Sequence, residues 1–258
     1  MDEPELAKIY DVVHQKRGED YCAEAQHVAD LVRTRVPDAS SLIDVACGPG
    51  AHLRYFTALF AHTEGLELSE SMLGVAHTKA PRSRLHCEDM RTFTLGRTFD
   101  AVTCMFGSVG YTRDEEELNA TVERFALHTR PGGVVVVEPW WFPEHFTDGY
   151  VAGDLSQEEG RTITRVSYST RRGNTTVMRV HFTVADASGI QEFTEVDLLT
   201  LFAREDYVNA FEAAGCRVEL LEGAPTGRGV FIGVPRVSTR PRPAQEVSSS
   251  TSAAMVWT

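Results

Sequence analysis

The sequence predicts an α/β fold: a mostly parallel, doubly wound sheet with an antiparallel edge, carrying an inserted antiparallel β layer. Three observations lead there. Helical and strand-like apolar patterns alternate from Tyr21 to Val137, the first strand-like run ends in the glycine-bearing turn Asp44-Val-Ala-Cys-Gly-Pro-Gly50, and after Pro139 long β-rich runs replace the alternation.

The N-terminus, Met1-Asp2-Glu3-Pro4, is acidic and leads into an amphipathic segment without the basic and apolar regions of a secretory leader. Between Tyr21 and Val36, apolar residues at Ala25, Val28, Ala29, Leu31 and Val32 have helical spacing, which Pro37 ends. Ser41 to Ala46 reads as a strand buried on both faces. A helix near His52 to Phe60, a strand Thr63 to Glu67, a helix capped by Ser69, and strands around Leu85 to Cys87 and at Phe99 to Met105 continue the pattern. Asp114 to Thr129 is predicted as a helix, turned by Pro131-Gly132-Gly133 into the strand Val134 to Val137.

Thr162 to Thr170 and Thr175 to Val184 are β-rich, joined by the hairpin signal Arg171-Arg172-Gly173-Asn174, and a third run spans Gln191 to Phe202. The helix Arg204 to Ala214 closes on Gly215, and strands Cys216 to Leu221 and Val230 to Val234 return to the main sheet. The expected division is therefore a main domain of 1–138 and 203–235, an inserted subdomain of 139–202, and a disordered tail of 236–258 rich in proline and serine.

Composition narrows the function. With 258 residues, 42% hydrophobic and 24% charged, the chain can bury one large core and a subdomain. A net charge of −12 disfavours nucleic acid as a partner. Nowhere do about 18 uncharged apolar residues run together, so no membrane span is expected and a cytoplasmic location is. Five widely spaced cysteines suit free thiols, and scattered histidines predict no metal site.

The turn after the first strand admits three readings: a plain β–α turn, a dinucleotide fingerprint, or a nucleoside site without phosphates. Leu53 at the third-glycine position and Pro49 between the glycines weigh against the fingerprint. Acids at successive strand ends favour the nucleoside. Glu67 is placed to accept from ribose hydroxyls and Asp89 from an adenine amino group, with Met90 on the purine face. Each acid alone could equally be a solvated turn residue or a helix cap. Gly107, Ser108 and Gly110, beyond Met105, are small enough to leave room for a reacting group, or form an ordinary loop.

Asp44-Val-Ala-Cys-Gly-Pro-Gly50, Gly65-Leu-Glu-Leu-Ser69, Asp89-Met-Arg91 and Val102-Thr-Cys-Met-Phe106 together resemble the class I methyltransferases, which have a Rossmann-like fold. Trp140-Trp141-Phe142-Pro143 and Gly227-Arg228-Gly229 resemble more specifically the N,N-dimethyltransferases of nucleotide-linked amino sugars in macrolide antibiotic biosynthesis. The likeness runs from about Tyr10 to Pro235. It implies S-adenosylmethionine as cofactor, contacted by Tyr10, Ala46, Gly48, Glu67, Asp89, Met90 and Met105. It implies a dTDP-linked amino deoxysugar as substrate, faced by Tyr21, Trp140, Arg165 and Arg228, and allows a homodimer. Asp2, Pro49, Gly107 and Thr226 depart from the residues usual in close relatives, which leaves the identity of the sugar open.

The expected chemistry is two successive in-line attacks of a neutral amine on a sulfonium methyl, with the 3-amino sugar preferred. Tyr111, and after it Tyr21, is the candidate for orienting the amine or taking its proton, core packing being the ordinary alternative for both. A 4-amino sugar, another small amine, and a nucleoside-binding protein without catalysis are the competing readings, and a dehydrogenase ranks last.

Overall fold

The computed structural model describes residues 3–16, 18, 20–158, 160–223 and 227–236. Asp2, Thr226 and all of the expected tail except Arg236 lie outside the described residues. The main sheet has the strands β1 (Ser41–Val45), β2 (His62–Glu67), β3 (Arg84–Cys87), β4 (Phe99–Cys104), β5 (Thr129–Val137), β10 (Cys216–Leu221) and β11 (Val230–Pro235). Their order is β10-β11-β5-β4-β1-β2-β3, and β11 is the strand that runs against its two neighbours, with β10 outside it. The chain reverses spatial direction after β3, so the ends of β1 and β4 lie side by side where a doubly wound sheet opens its crevice.

Period-two alternation fills both faces of this sheet. Ile43, Val45, Val102, Cys104, Val135 and Val137 pack on one side against α5 (Glu115–Leu127) and α6 (Arg204–Ala213). Leu42, Ala101, Val134 and Val136 pack on the other against α2 (Tyr21–Arg35) and α3 (Leu53–Leu59). This is why the strands read as continuous apolar runs. Asp20 caps α2, Ser69 caps α4 (Glu70–Lys79) and Asp114 caps α5, each accepting from a backbone N–H three residues on.

Two boundaries differ from the sequence expectation. Helix α5 stops at Leu127, and β5 already starts at Thr129. Pairing passes from Phe99–Thr129 directly to Ala101–Val134, so Pro131-Gly132-Gly133 bulges out of the ladder without preceding it. The amphipathic N-terminal segment is a full helix, α1 (Glu3–Lys16), and β6 (Tyr150–Glu158) was not anticipated at all.

Strand β6 joins β7 (Arg161–Arg172), β8 (Thr175–Asp186) and β9 (Gly189–Thr200) in a separate antiparallel sheet of order β6-β7-β8-β9. Leu6, Ile9 and Val13 of α1 pack on its inner face with Ile163, Val180, Phe182, Val184 and Phe193. Helix α1 is thereby held by the inserted layer. No helix among the described residues is long and apolar enough to cross a membrane.

Asp100 pins the start of β4 to β1: one carboxylate oxygen accepts from the Ser40 and Ser41 amides at 2.9 and 2.8 Å and from the Ser41 hydroxyl at 2.8 Å, while Arg130 pairs with the other. Burial alone would raise its pKa, but Arg130 and these donors hold it well below the usual carboxylate range. A depressed folded pKa adds stability above the unfolded value, about 4, that is lost as pH falls below it. Asp100→Asn is expected to lower unfolding free energy by about 1–3 kcal/mol at pH 7 in urea titrations, and to narrow the gap from the parent protein below pH 4.

Candidate active site

The loop after β1 leaves the sheet in left-handed backbone, with φ of 55° at Ala46, 54° at Gly48 and 78° at Gly50. For Ala46 that conformation is unfavourable and has to be held by its surroundings. Glu67 at the end of β2 does so. Its carboxylate accepts from the Gly48 amide at 3.0 Å with one oxygen and from the Leu68 and Ser69 amides at 2.8 and 2.9 Å with the other. Leu53 opens α3 fully buried and fits against Gly65, where a Cβ would lie 2.7 Å from it. The close helix–strand approach that a dinucleotide site obtains from a third glycine is made here by Gly65 on the neighbouring strand.

A small cavity opens above the loop. Asp44, Ala46, Gly48 and Pro49 form its floor, Met105, Phe106 and Ser108 one wall, and Tyr10, Tyr21 and His52 the other. Tyr10, Tyr21 and His14 ring the Phe106 side chain at 6.4, 6.3 and 5.0 Å between centroids. Asp44 is buried and accepts from the Thr103 hydroxyl at 2.7 Å. Burial pushes its pKa up to about 6 against the opposing effects of His52 and Thr103. Among the described residues that line the cavity there is no lysine or arginine to receive a diphosphate, and its carboxylate suits a cationic group. This donor set fits a nucleoside with an amino-acid tail.

Of the residues singled out for the cofactor, the fold thus brings Tyr10, Ala46, Gly48 and Met105 together, with Glu67 behind the loop. Asp89 and Met90 stand apart from this cavity. Asp89 sits in the fork of Arg91, which donates to it from Nε at 2.9 and 3.1 Å and Nη2 at 2.6 Å. Those bonds, opposed by burial, lower its pKa. Met90 packs against the main core.

Trp140 and Arg228 meet around a residue that sequence reading missed. Glu138, at the end of β5, is fully buried, accepts from the Phe106 amide at 2.6 Å, and receives Nε and Nη2 of Arg228 at 3.1 and 2.6 Å. The guanidinium also lies 5.5, 5.6 and 5.8 Å from the rings of Phe106, Trp140 and Trp141. Gly107 and Gly110 are small for this assembly: a Cβ on either would come within 2.9 or 2.8 Å of Trp140. The expectation that they leave space for a reacting group is corrected, because Trp140 occupies it.

A second polar group lies on the inner face of the β layer. Tyr111, in the 3-10 turn after β4, donates to Asp197 at 2.8 Å. Arg165 is buried on the same face, donating to the Ser167 hydroxyl at 2.9 Å and lying 3.6 Å from Asp154. Half of the Tyr111 residue stays exposed, and burial of the remainder, followed by the Asp197 charge, drives its pKa above the ordinary value. Asp197 too is raised, by burial. Among the described residues no cluster of histidine, cysteine, aspartate or glutamate could hold a metal ion.

Residues 42–133 match the family model described as a methyltransferase domain. The chain is 58% identical over 236 residues, 91% of its length and all of the relative's, to dTDP-3-amino-3,4,6-trideoxy-alpha-D-glucopyranose N,N-dimethyltransferase from Streptomyces venezuelae. It is 47% identical to dTDP-4-amino-2,3,4,6-tetradeoxy-D-glucose N,N-dimethyltransferase from Saccharopolyspora spinosa, covering 90% of this chain and 93% of that one. Among solved structures it resembles SAM-bound CalS10, an amino pentose methyltransferase from Micromonospora echinaspora involved in calicheamicin biosynthesis, with a TM-score of 0.81 and 52% identity over 87% of this chain and 95% of that one.

Removing one partner of a buried ion pair strands the other charge. Arg228→Met is expected to destabilise the fold by about 3–5 kcal/mol in chemical denaturation, and the double change Arg228→Met with Glu138→Gln to recover part of that loss.

Proposed function

The chain belongs to the S-adenosylmethionine-dependent N,N-dimethyltransferases of dTDP-amino sugars, and we propose from that premise that it converts the amino group of a 3-amino dTDP-deoxysugar to a dimethylamine. The observation that carries the choice of sugar is the identity of 58% to a relative named for a 3-amino substrate against 47% to one named for a 4-amino substrate. The second figure keeps a 4-amino sugar as the runner-up.

S-adenosylmethionine, when bound, supplies an electrophilic methyl group on a sulfonium centre. In this reading Tyr10, Ala46, Gly48 and Met105 shape its site. Glu67 spends three acceptor positions on backbone amides and has capacity left for a ribose hydroxyl. Asp89 and Met90 are assigned to the adenine end. The nucleotide sugar is assigned to the other side, with Trp140 and Tyr21 as apolar walls and Arg228 and Arg165 as the cations for its diphosphate. In this role Arg228 holds Glu138 and the substrate at once.

Tyr111 orients the amine. Its proton is directed at Asp197, so what it offers an amine N–H is an oxygen lone pair, and its raised pKa keeps it from serving as a phenolate base near neutral pH. Tyr21 packs edge-on to His52 at 5.0 Å and is assigned the supporting wall. Catalysis rests on alignment and on exclusion of water from a neutral amine; the methylated ammonium that each transfer leaves gives up a proton to solvent before the next. The main domain thus binds the cofactor, and the β layer binds the sugar together with Tyr21, Tyr111 and Arg228 of the main domain. A cytoplasmic location and a homodimer belong to the same proposal. Exposed Val151, Val166, Tyr168, Val196 and Leu198 on the outer face of the β layer support the dimer.

Mass spectrometry after incubation with S-adenosylmethionine and either a 3-amino or a 4-amino dTDP-sugar tests the assignment. Two methyl additions to the 3-amino sugar are expected; methylation of the 4-amino sugar alone would overturn the choice of acceptor, and methylation of neither the activity. Tyr111→Phe is expected to lower kcat about tenfold, the worth of one hydrogen bond, while KM for the cofactor stays within about twofold.

A further inference from the structure

The β layer is tied to the main domain at two neighbouring points of β9. Thr200 Oγ1 donates to the Thr112 carbonyl at 2.6 Å, and three residues earlier Asp197 accepts from the Tyr111 hydroxyl at 2.8 Å. Both partners belong to the segment that follows β4, whose 3-10 helix runs from Ser108 to Tyr111. Side chains three apart eclipse in such a helix, about 6 Å from each other along its axis. Tyr111 therefore shares a face with Ser108, which lines the cavity above the first loop. Tyr10, on the opposite wall of that cavity, is near enough for its charge to be felt at Tyr111. The Tyr111–Asp197 pair thus stands where the cavity meets the β layer.

The pair offers acceptors. The Tyr111 proton is spent on Asp197, which leaves an oxygen lone pair, and an ionised carboxylate has no proton to give. The titratable groups that face the pair are Arg165 from β7, Glu195 from the same strand as Asp197, and Tyr10 from α1. Arg165 donates to the Ser167 hydroxyl and lies 3.6 Å from Asp154, while Glu195 adds a second buried acid to the same face. A partly buried carboxylate in such company favours a cationic N–H donor. A sugar amine is one: flanked by electron-withdrawing carbons, it titrates like an α-amino group, at about 8, and reaches the enzyme at pH 7 mostly as ammonium. Methyl transfer requires the neutral amine, so a proton has to leave first.

We propose that Asp197 binds the ammonium group of the amino sugar and takes the proton that frees its lone pair, with Tyr111 holding the nitrogen in line. One N–H bond breaks and one O–H bond forms on Asp197; the nitrogen pair then attacks the sulfonium methyl as the C–S bond breaks toward sulfur. The methylated ammonium repeats the exchange before the second transfer, and Asp197 passes each proton to solvent past the half-exposed Tyr111. The inference rests on the amino-sugar reading and is independent of which carbon bears the amine.

The pH dependence of methylation, measured on whichever amino sugar the full chain accepts, tests the assignment. Asparagine at position 197 keeps an acceptor for the Tyr111 hydroxyl but cannot take up a proton. Asp197→Asn is expected to lower kcat/KM for the sugar about tenfold or more at pH 7, with KM for the cofactor within about twofold. The deficit is expected to shrink to about threefold at pH 9, where solvent has already deprotonated the amine. No deficit, or one of the same size at both pH values, as lost packing would give, overturns the proposal. Calorimetry on the parent chain needs no variant. At pH 7 the dTDP-amino sugar is expected to bind at least about tenfold more tightly than the same nucleotide sugar with a hydroxyl at that carbon, and equal affinity overturns the proposal. Should Asp197→Asn not fold, that comparison decides alone. A parent chain that methylates no amino sugar would instead overturn the reading of its function.

Discussion

A carboxylate with no exposed surface has to be satisfied by fixed partners, and Glu138 obliges three separate strand ends to meet for that purpose. It sits at the end of β5, takes an amide from the chain leaving β4, and holds an arginine from the segment leading into β11. Phe106 turns into left-handed backbone, with φ of 62°, at the residue whose amide Glu138 captures. That turn places the Phe106 ring between Tyr10, Tyr21 and Arg228, so the wall of the cavity above the first loop and the cage around the arginine are two faces of one residue.

Glu67 performs the corresponding task one strand further along. Three backbone amides converge on it, and the left-handed Ala46 and Gly48 are held against its side chain. Both acids replace water at the open ends of a parallel sheet, where backbone donors would otherwise be left over.

The parts of this arrangement that were legible in the sequence are those encoded locally. Leu42 to Val45, Val102 to Cys104 and Val134 to Val137 announce buried strands, and Asp44 to Gly50 announces a turn that a ligand can approach. Helix α1 was only half legible, because its sparse apolar residues Leu6, Ile9 and Val13 gain meaning from β7, β8 and β9, more than a hundred residues on. Strand β6 was hidden by Gly153 and Asp154 within it and by one face turned to solvent. The pairs Glu24–His52, Tyr111–Asp197 and Glu138–Arg228 join residues 28, 86 and 90 positions apart, and no spacing rule reports them. Asp89 shows the opposite limit: its place beyond a strand was readable, its capture by Arg91 two residues on was not.

Helix α1 packs its apolar face on the β layer and sends Tyr10 into the cavity above the first loop of the other sheet. The two modules therefore share a wall. A chimera in which the corresponding layer of a relative replaced β6 to β9 would inherit a mismatched seat for α1, and the cavity of the other sheet would register the exchange. Change in either sheet of such a scaffold has to proceed by compensated steps on both sides of one helix.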